Sequence, residues 1–76
     1  MAMIGEIKLW GGEFAPKGWR FCDGSKLEIW SAQPLASILG NNYRSLGGQT
    51  FELPNLEPVQ GVRYIICLEG EFPEKA

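Results

Sequence analysis

The chain reads as short extended runs interrupted by glycine and proline, with one stretch of helical spacing. Residues 6–10 alternate, Ile7 and Leu9 on one face and Glu6, Lys8 and Trp10 on the other, the pattern of a half-buried strand with Ile7 and Leu9 facing inward. Gly11-Gly12 ends it. Residues 15–18, Ala-Pro-Lys-Gly, read as a β-turn, with Pro16 at the second position and Gly18 at the fourth. Trp19 and Phe21 then share one face of a second strand and Arg20 and Cys22 the other. Asp23-Gly24 closes that strand with a pair that tolerates positive φ. Trp19 and Phe21 are expected to be core anchors.

Residues 25–30 are expected to form a third short strand, with Leu27 and Ile29 facing inward. Ser31 is placed as a helix N-cap. Pro34 is compatible with a first turn, where N–H groups have no intrahelical partner. Leu35, Ile38 and Leu39 follow helical spacing and Gly40 is positioned to end the run, predicting one helix over about residues 32–39. So short a helix is unstable alone, so Leu35 and Leu39 are expected to dock on the sheet. Residues 41–50 read as loop. Pro54 argues against a central strand over 51–56, which becomes an extended segment anchored by Phe51, Leu53 and Leu56. Residues 57–61 form a turn. In residues 62–68, Val62, Tyr64, Ile66 and Leu68 alternate with Arg63, Ile65 and Cys67. Apolar residues on both faces place this strand centrally, and Gly70 ends it. The expected fold is α+β and β-rich, a small antiparallel or mixed sheet of about four strands with one short helix.

The chain has 76 residues, which bounds it to a single domain over 1–76. A core this small rarely supplies more than ~3–5 kcal/mol, so a partner chain would help. The sequence contains no His, which removes the usual general base and any Ser-His or Cys-His nucleophile pair. With only two Cys, no four-ligand metal site is expected either. No cofactor is implied. Net charge is −2 with both signs scattered, so nucleic-acid binding lacks the basic patch it needs. No apolar run reaches the roughly 18 residues of a membrane span. Met1-Ala2-Met3-Ile4 does not read as a signal peptide, giving an expectation of synthesis in the cytoplasm. There, Cys22 and Cys67 are expected to be reduced, buried thiols; the sequence leaves open whether they are neighbours.

Several ordered blocks carry a resemblance. They are Gly5-Glu6-Ile7, Trp10, and Pro16-Lys17-Gly18-Trp19-Arg20-Phe21-Cys22-Asp23-Gly24. Leu27-Glu28-Ile29, Leu39-Gly40, Tyr43 and Gly47-Gly48 follow, then Phe51-Glu52-Leu53-Pro54-Asn55-Leu56 and Tyr64-Ile65-Ile66. In this order they resemble the phage tail collar family, over about residues 4–73. The resemblance implies a small β-rich unit with one short helix, of the kind found in phage tail fibres and in bacterial, phage-derived proteins of the microcystin-dependent type. It also implies association with other tail proteins or self-association, as a trimer, and a place in a virion or tail-like particle. Larger relatives follow their "L-P-D-L" block with Arg-Gly-Arg and a long variable insertion. Here Leu53-Pro54-Asn55-Leu56 is followed only by Glu57-Pro58-Val59-Gln60-Gly61.

The expected function is a non-enzymatic structural or assembly module that makes protein–protein contacts. The alternative is a small receptor- or glycan-binding module. Asp23 before a glycine reads as a turn residue, not as an acid catalyst. Gly47-Gly48 lacks the Lys-Ser/Thr of a phosphate loop. Trp10 and Trp30 fall out of phase with the aliphatic faces of their strands and are interface candidates. Tyr43 and Arg44, on the residue 41–49 loop, are the remaining ligand candidates. Ordering that glycine-bearing loop carries an entropic cost, so any glycan is expected to bind no tighter than about millimolar, near −4 kcal/mol.

Overall fold

A computed structural model describes residues 2–40 and 48–74. Tyr43, Arg44 and most of the 41–50 loop lie outside the described residues. The elements run β1 (Ile7–Trp10), β2 (Trp19–Phe21), β3 (Lys26–Glu28), a 3-10 turn (Ile29–Ser31), α1 (Gln33–Leu39), β4 (Thr50–Glu52) and β5 (Arg63–Cys67). They form two antiparallel sheets, β1-β5-β2 and β3-β4, instead of one. β5 is central, as its two apolar faces require.

The second sheet exists because residues 50–52 are a strand, contrary to the extended crossing segment that Pro54 suggested. Pro54 falls after the strand, where no ladder N–H is needed. The Asp23–Asn55 bridge then ties the two sheets, with Leu56 N–H donating to Cys22 C=O. Residues 25–30 do not run on as one strand: Ile29 and Trp30 turn into the 3-10 segment. The Ser31 hydroxyl donates back to Glu28 C=O at 2.7 Å and does not cap α1. Ala32 holds the N-cap position, with Pro in the first turn of the helix, and Gly40 ends it at φ +74.

The principal core lies between the β5 face bearing Ile66 and the helix. Ile4, Cys22, Ala32, Leu35, Ala36, Phe51, Leu53 and Ile66 are buried together, with Leu27, Ile29, Leu39, Tyr64 and Leu68 packed around them. Leu35 and Leu39 dock as expected; Leu56 is exposed, not an anchor. Ile7 and Leu9 have the expected phase, opposite Ile66 and Tyr64, yet they are 40% and 46% exposed. They sit on an edge strand at the margin of this core, which is centred on β5.

Trp19 and Phe21 also depart from expectation. Trp19 pairs with Cys67 and Phe21 with Ile65, so both lie on the sheet's other face. There they are half-buried, and it is Ile65 and Cys67 beneath them that are fully buried. They form a thin outer layer, not the core anchors the sequence suggested. The turn before β2 is also displaced by one residue. Trp19 N–H donates to Pro16 C=O at 3.0 Å, which puts Gly18, at φ +84, in the third position, where a type II turn requires positive φ. Residues 57–61 do turn: Val59 and Val62 exchange two backbone bonds around Gln60 and Gly61, both at positive φ, the geometry of a two-residue type I′ hairpin.

Candidate interaction surface

The register of the three-stranded sheet assembles one face from three strands. Trp10 lies opposite Arg63, Lys8 and Phe21 both flank Ile65, and Trp19 lies beside Cys67. Side chains directly opposite one another share a face. Lys8, Trp10, Trp19, Phe21 and Arg63 therefore cover the outer side of β5. The Lys8 ammonium lies 4.5 Å from the centre of the Trp19 ring, and the Arg63 guanidinium 3.7 Å from that of Phe21. Both distances fit cation–π contact, at about 0.5–1 kcal/mol each for exposed pairs.

The loop after β1 is folded onto this face. The Trp10 indole N–H donates to Phe14 C=O at 2.7 Å. The Arg63 guanidinium donates to Glu13 C=O at 3.1 Å and more weakly to Gly12 C=O at 3.4 Å. A β-carbon on Gly12 would lie 2.6 Å from the Trp10 indole nitrogen, so glycine is what lets the backbone pass so close to the ring. Trp10 is thus half-buried under its own loop and fastens it, leaving Phe14 at the tip 82% exposed.

Trp30 stands elsewhere, 73% exposed. Its indole N–H donates to the Glu28 carboxylate, and it borders a shallow depression with Ile29, Gln33, Gln49 and Thr50. Trp10 is fastened to Phe14 and lies against Gly12, whereas Trp30 is held by Glu28 beside Ile29, Gln33, Gln49 and Thr50. Lys8 and Arg63, which hold the outer layer together, escaped sequence reasoning. The alternation over 6–10 and 62–68 showed which residues share a face within each strand, but only the β1–β5 register sets Trp10 against Arg63.

The remaining motif residues have structural surroundings. Asp23 Oδ1 accepts the Ser25 backbone N–H at 3.0 Å and the Ser25 hydroxyl, and this side-chain bond is the main reason the carboxyl is held below its ordinary range. It is the turn residue the Asp-Gly pair suggested, with Gly24 at φ +80 against Asn55. Phe51, Leu53 and Pro54 are buried. Cys22 and Cys67 are free thiols. Burial, then the neighbouring Asp23 charge, pushes Cys22 up. Burial also pushes Cys67 up, and its thiol donates to Glu69 C=O at 3.2 Å. Cys22 lies on the core side and Cys67 on the outer side of the sheet, so their side chains point apart. No helix among the described residues is long and apolar enough to cross a membrane.

Compared with known families, the chain matches the phage tail collar domain over residues 5–58. The matched stretch runs from the turn before β1 to the start of the β-turn that leads into β5, and includes both Trp10 and the Trp19–Gly24 run. No curated protein matches the chain.

Proposed function

Because the chain belongs to the phage tail collar domain family, a structural family of phage tails, we propose that it is a non-enzymatic assembly module that makes protein–protein contacts within a tail or tail-like particle. The family match carries this reading. The surface supports it: Ile7, Leu9, Phe14 and Trp30 are large apolar side chains in solvent contact, the material a protein contact covers. The module is made in the cytoplasm and ends in the particle, bound to tail proteins or to further copies of itself. Fractionating tail-like particles on a density gradient and probing for this chain tests the reading. Co-migration with the particles is expected; recovery solely as free protein would overturn it.

The glycan-binding alternative draws less support. Trp10 is covered by its loop and the Trp30 indole N–H is committed to Glu28, so the two do not offer one shared aromatic platform. Binding to a glycan array at micromolar concentration, lost on Trp30→Ala, would reverse that preference.

A further inference from the structure

The loop after β1 is fastened by its backbone and leaves its side chains free. Phe14 C=O accepts the Trp10 indole N–H and Glu13 C=O accepts the Arg63 guanidinium. The Phe14 ring stands in solvent, and the Glu13 carboxylate makes no bond among the described residues. A ring held in place in this way enters a partner with little further loss of freedom. Past the far end of β5 lies the opposite shape, a groove of about 460 Å³ between the start of β2 and the start of α1. Trp19, Ala32, Pro34 and Leu68 give it apolar walls, and Arg20 and Glu69 also line it. Its volume falls in the range of sites that enclose a bound group, about 300–1,000 Å³. Phe14 does not fill the groove of its own copy. Arg63, which holds the loop, and Leu68, which lines the groove, are separated by about 17 Å of extended chain.

We propose that Phe14 of one copy enters this groove on the next copy, head to tail. Resting on the assembly reading, the proposal names one partner for the module. Charge complementarity selects that partner and the direction in which it docks. Arg20 lies opposite Ile66, and Glu69 lies beside Gly18, so the two charges mark different ends of the groove. Arg20 is exposed, and its charge is the least of the influences on Asp23, whose carboxylate Ser25 already holds. It is therefore open to an incoming carboxylate. With the ring in the groove and Glu13 toward Arg20, opposite charges meet. The reversed direction would set Glu13 against Glu69. Docking releases nothing in the donor loop, because Trp10 and Arg63 hold backbone carbonyls and only the side chains enter the partner. Ring and groove are separate places on the chain, so each contact leaves one ring and one groove unfilled at its ends. Such a heterologous contact does not stop at two copies but continues until a ring closes. Three copies make the trimer that the resemblance to tail collar proteins implies.

Light scattering on the intact chain and on mixed variants tests this. At high micromolar concentration the unaltered chain should give three times the monomer mass. Phe14→Ala removes a side chain that the fold does not bury, so it should keep a native near-UV spectrum and weaken association at least about tenfold. Arg20→Glu and Glu13→Arg should each weaken it as well, and the two together should restore it. Mixing reads the direction of the contact. The Phe14→Ala chain keeps its groove and the Arg20→Glu chain keeps its ring, so together they should form a one-to-one pair and nothing larger, a species neither forms alone. A strictly monomeric mass, a closed dimer, or an association that Phe14→Ala leaves untouched would overturn the proposal. A monomer that still co-migrates with tail-like particles would overturn the contact between copies and leave the assembly reading standing.

Discussion

Two residues are set by their immediate surroundings closely enough to predict. At Gly70 a β-carbon would overlap the Ala2 carbonyl oxygen, because the segment at Ala2–Ile4 runs beside Glu71: Ile4 N–H donates to Glu71 C=O, and Glu71 N–H to Ala2 C=O. The Ala2 carbonyl is backbone and the new β-carbon is fixed to its own backbone, so neither can rotate away. Gly70→Ala is expected to cost about 1–3 kcal/mol, as overpacking does, read as a lower urea midpoint at unchanged slope. Asp23 gives a pH dependence. Its folded pKa lies below the ordinary carboxylate range, chiefly through the Ser25 bond. A depressed carboxyl contributes stability that is fully present above its unfolded pKa and is lost as pH falls through the folded one. The stability gap between the native chain and Asp23→Asn should therefore hold from neutrality to mild acid and close at lower pH, in urea titrations across that range.

The elements separate into a deep layer and a thin one. Phe51 and Leu35, fully buried between the sheets and α1, leave a cavity when truncated: Phe51→Ala should cost about 3–5 kcal/mol and Leu35→Ala about 2–5. Trp19 is larger but half-buried, so Trp19→Ala should cost clearly less than Phe51→Ala and leave a folded chain. Equal costs by chemical denaturation would show that the outer layer bears as much of the fold as the core. Arg63 belongs to the thin layer too. Arg63→Ala removes the stacking on Phe21 and the bonds to Gly12 and Glu13, a loss of about 1 kcal/mol. A slightly lower urea midpoint at unchanged slope is the expected reading.

Over the whole molecule, the sheet itself separates the two thiols. Cys22 faces the core and Cys67 the outer layer, and both are buried with their thiolates disfavoured. Neither should react with a thiol reagent at neutral pH until the chain opens, so labelling should rise together with global unfolding in denaturant. An oxidant should produce no internal disulfide in the folded chain, since side chains on opposite faces cannot reach bonding geometry. Early labelling of Cys22 alone would mean that the β2 end detaches from the core before the rest.

What the sequence determined by itself is local. Alternation located β1, β2 and β5, the apolar residues on both faces of β5 placed it centrally, and the Leu35 and Leu39 spacing found the helix and its docking side. The ordered blocks from Gly5 onward were enough to place the chain in its family. What only the tertiary structure decided is which face of each strand is deep. Trp19 and Phe21 share a face in any extended chain, but the helix and the β3-β4 sheet close over the opposite side of β5, so a buried Cys22 and Ile66 outrank two aromatics. Alternation gives phase and says nothing of which side will be covered or where an edge falls, which is why Ile7 and Leu9 read as buried and stand exposed. The β3-β4 sheet was hidden for a related reason. Three residues before a proline carry almost no strand signal, and Thr50–Glu52 becomes a strand through pairing with Lys26–Glu28, a partner distant in sequence that only the folded chain brings alongside.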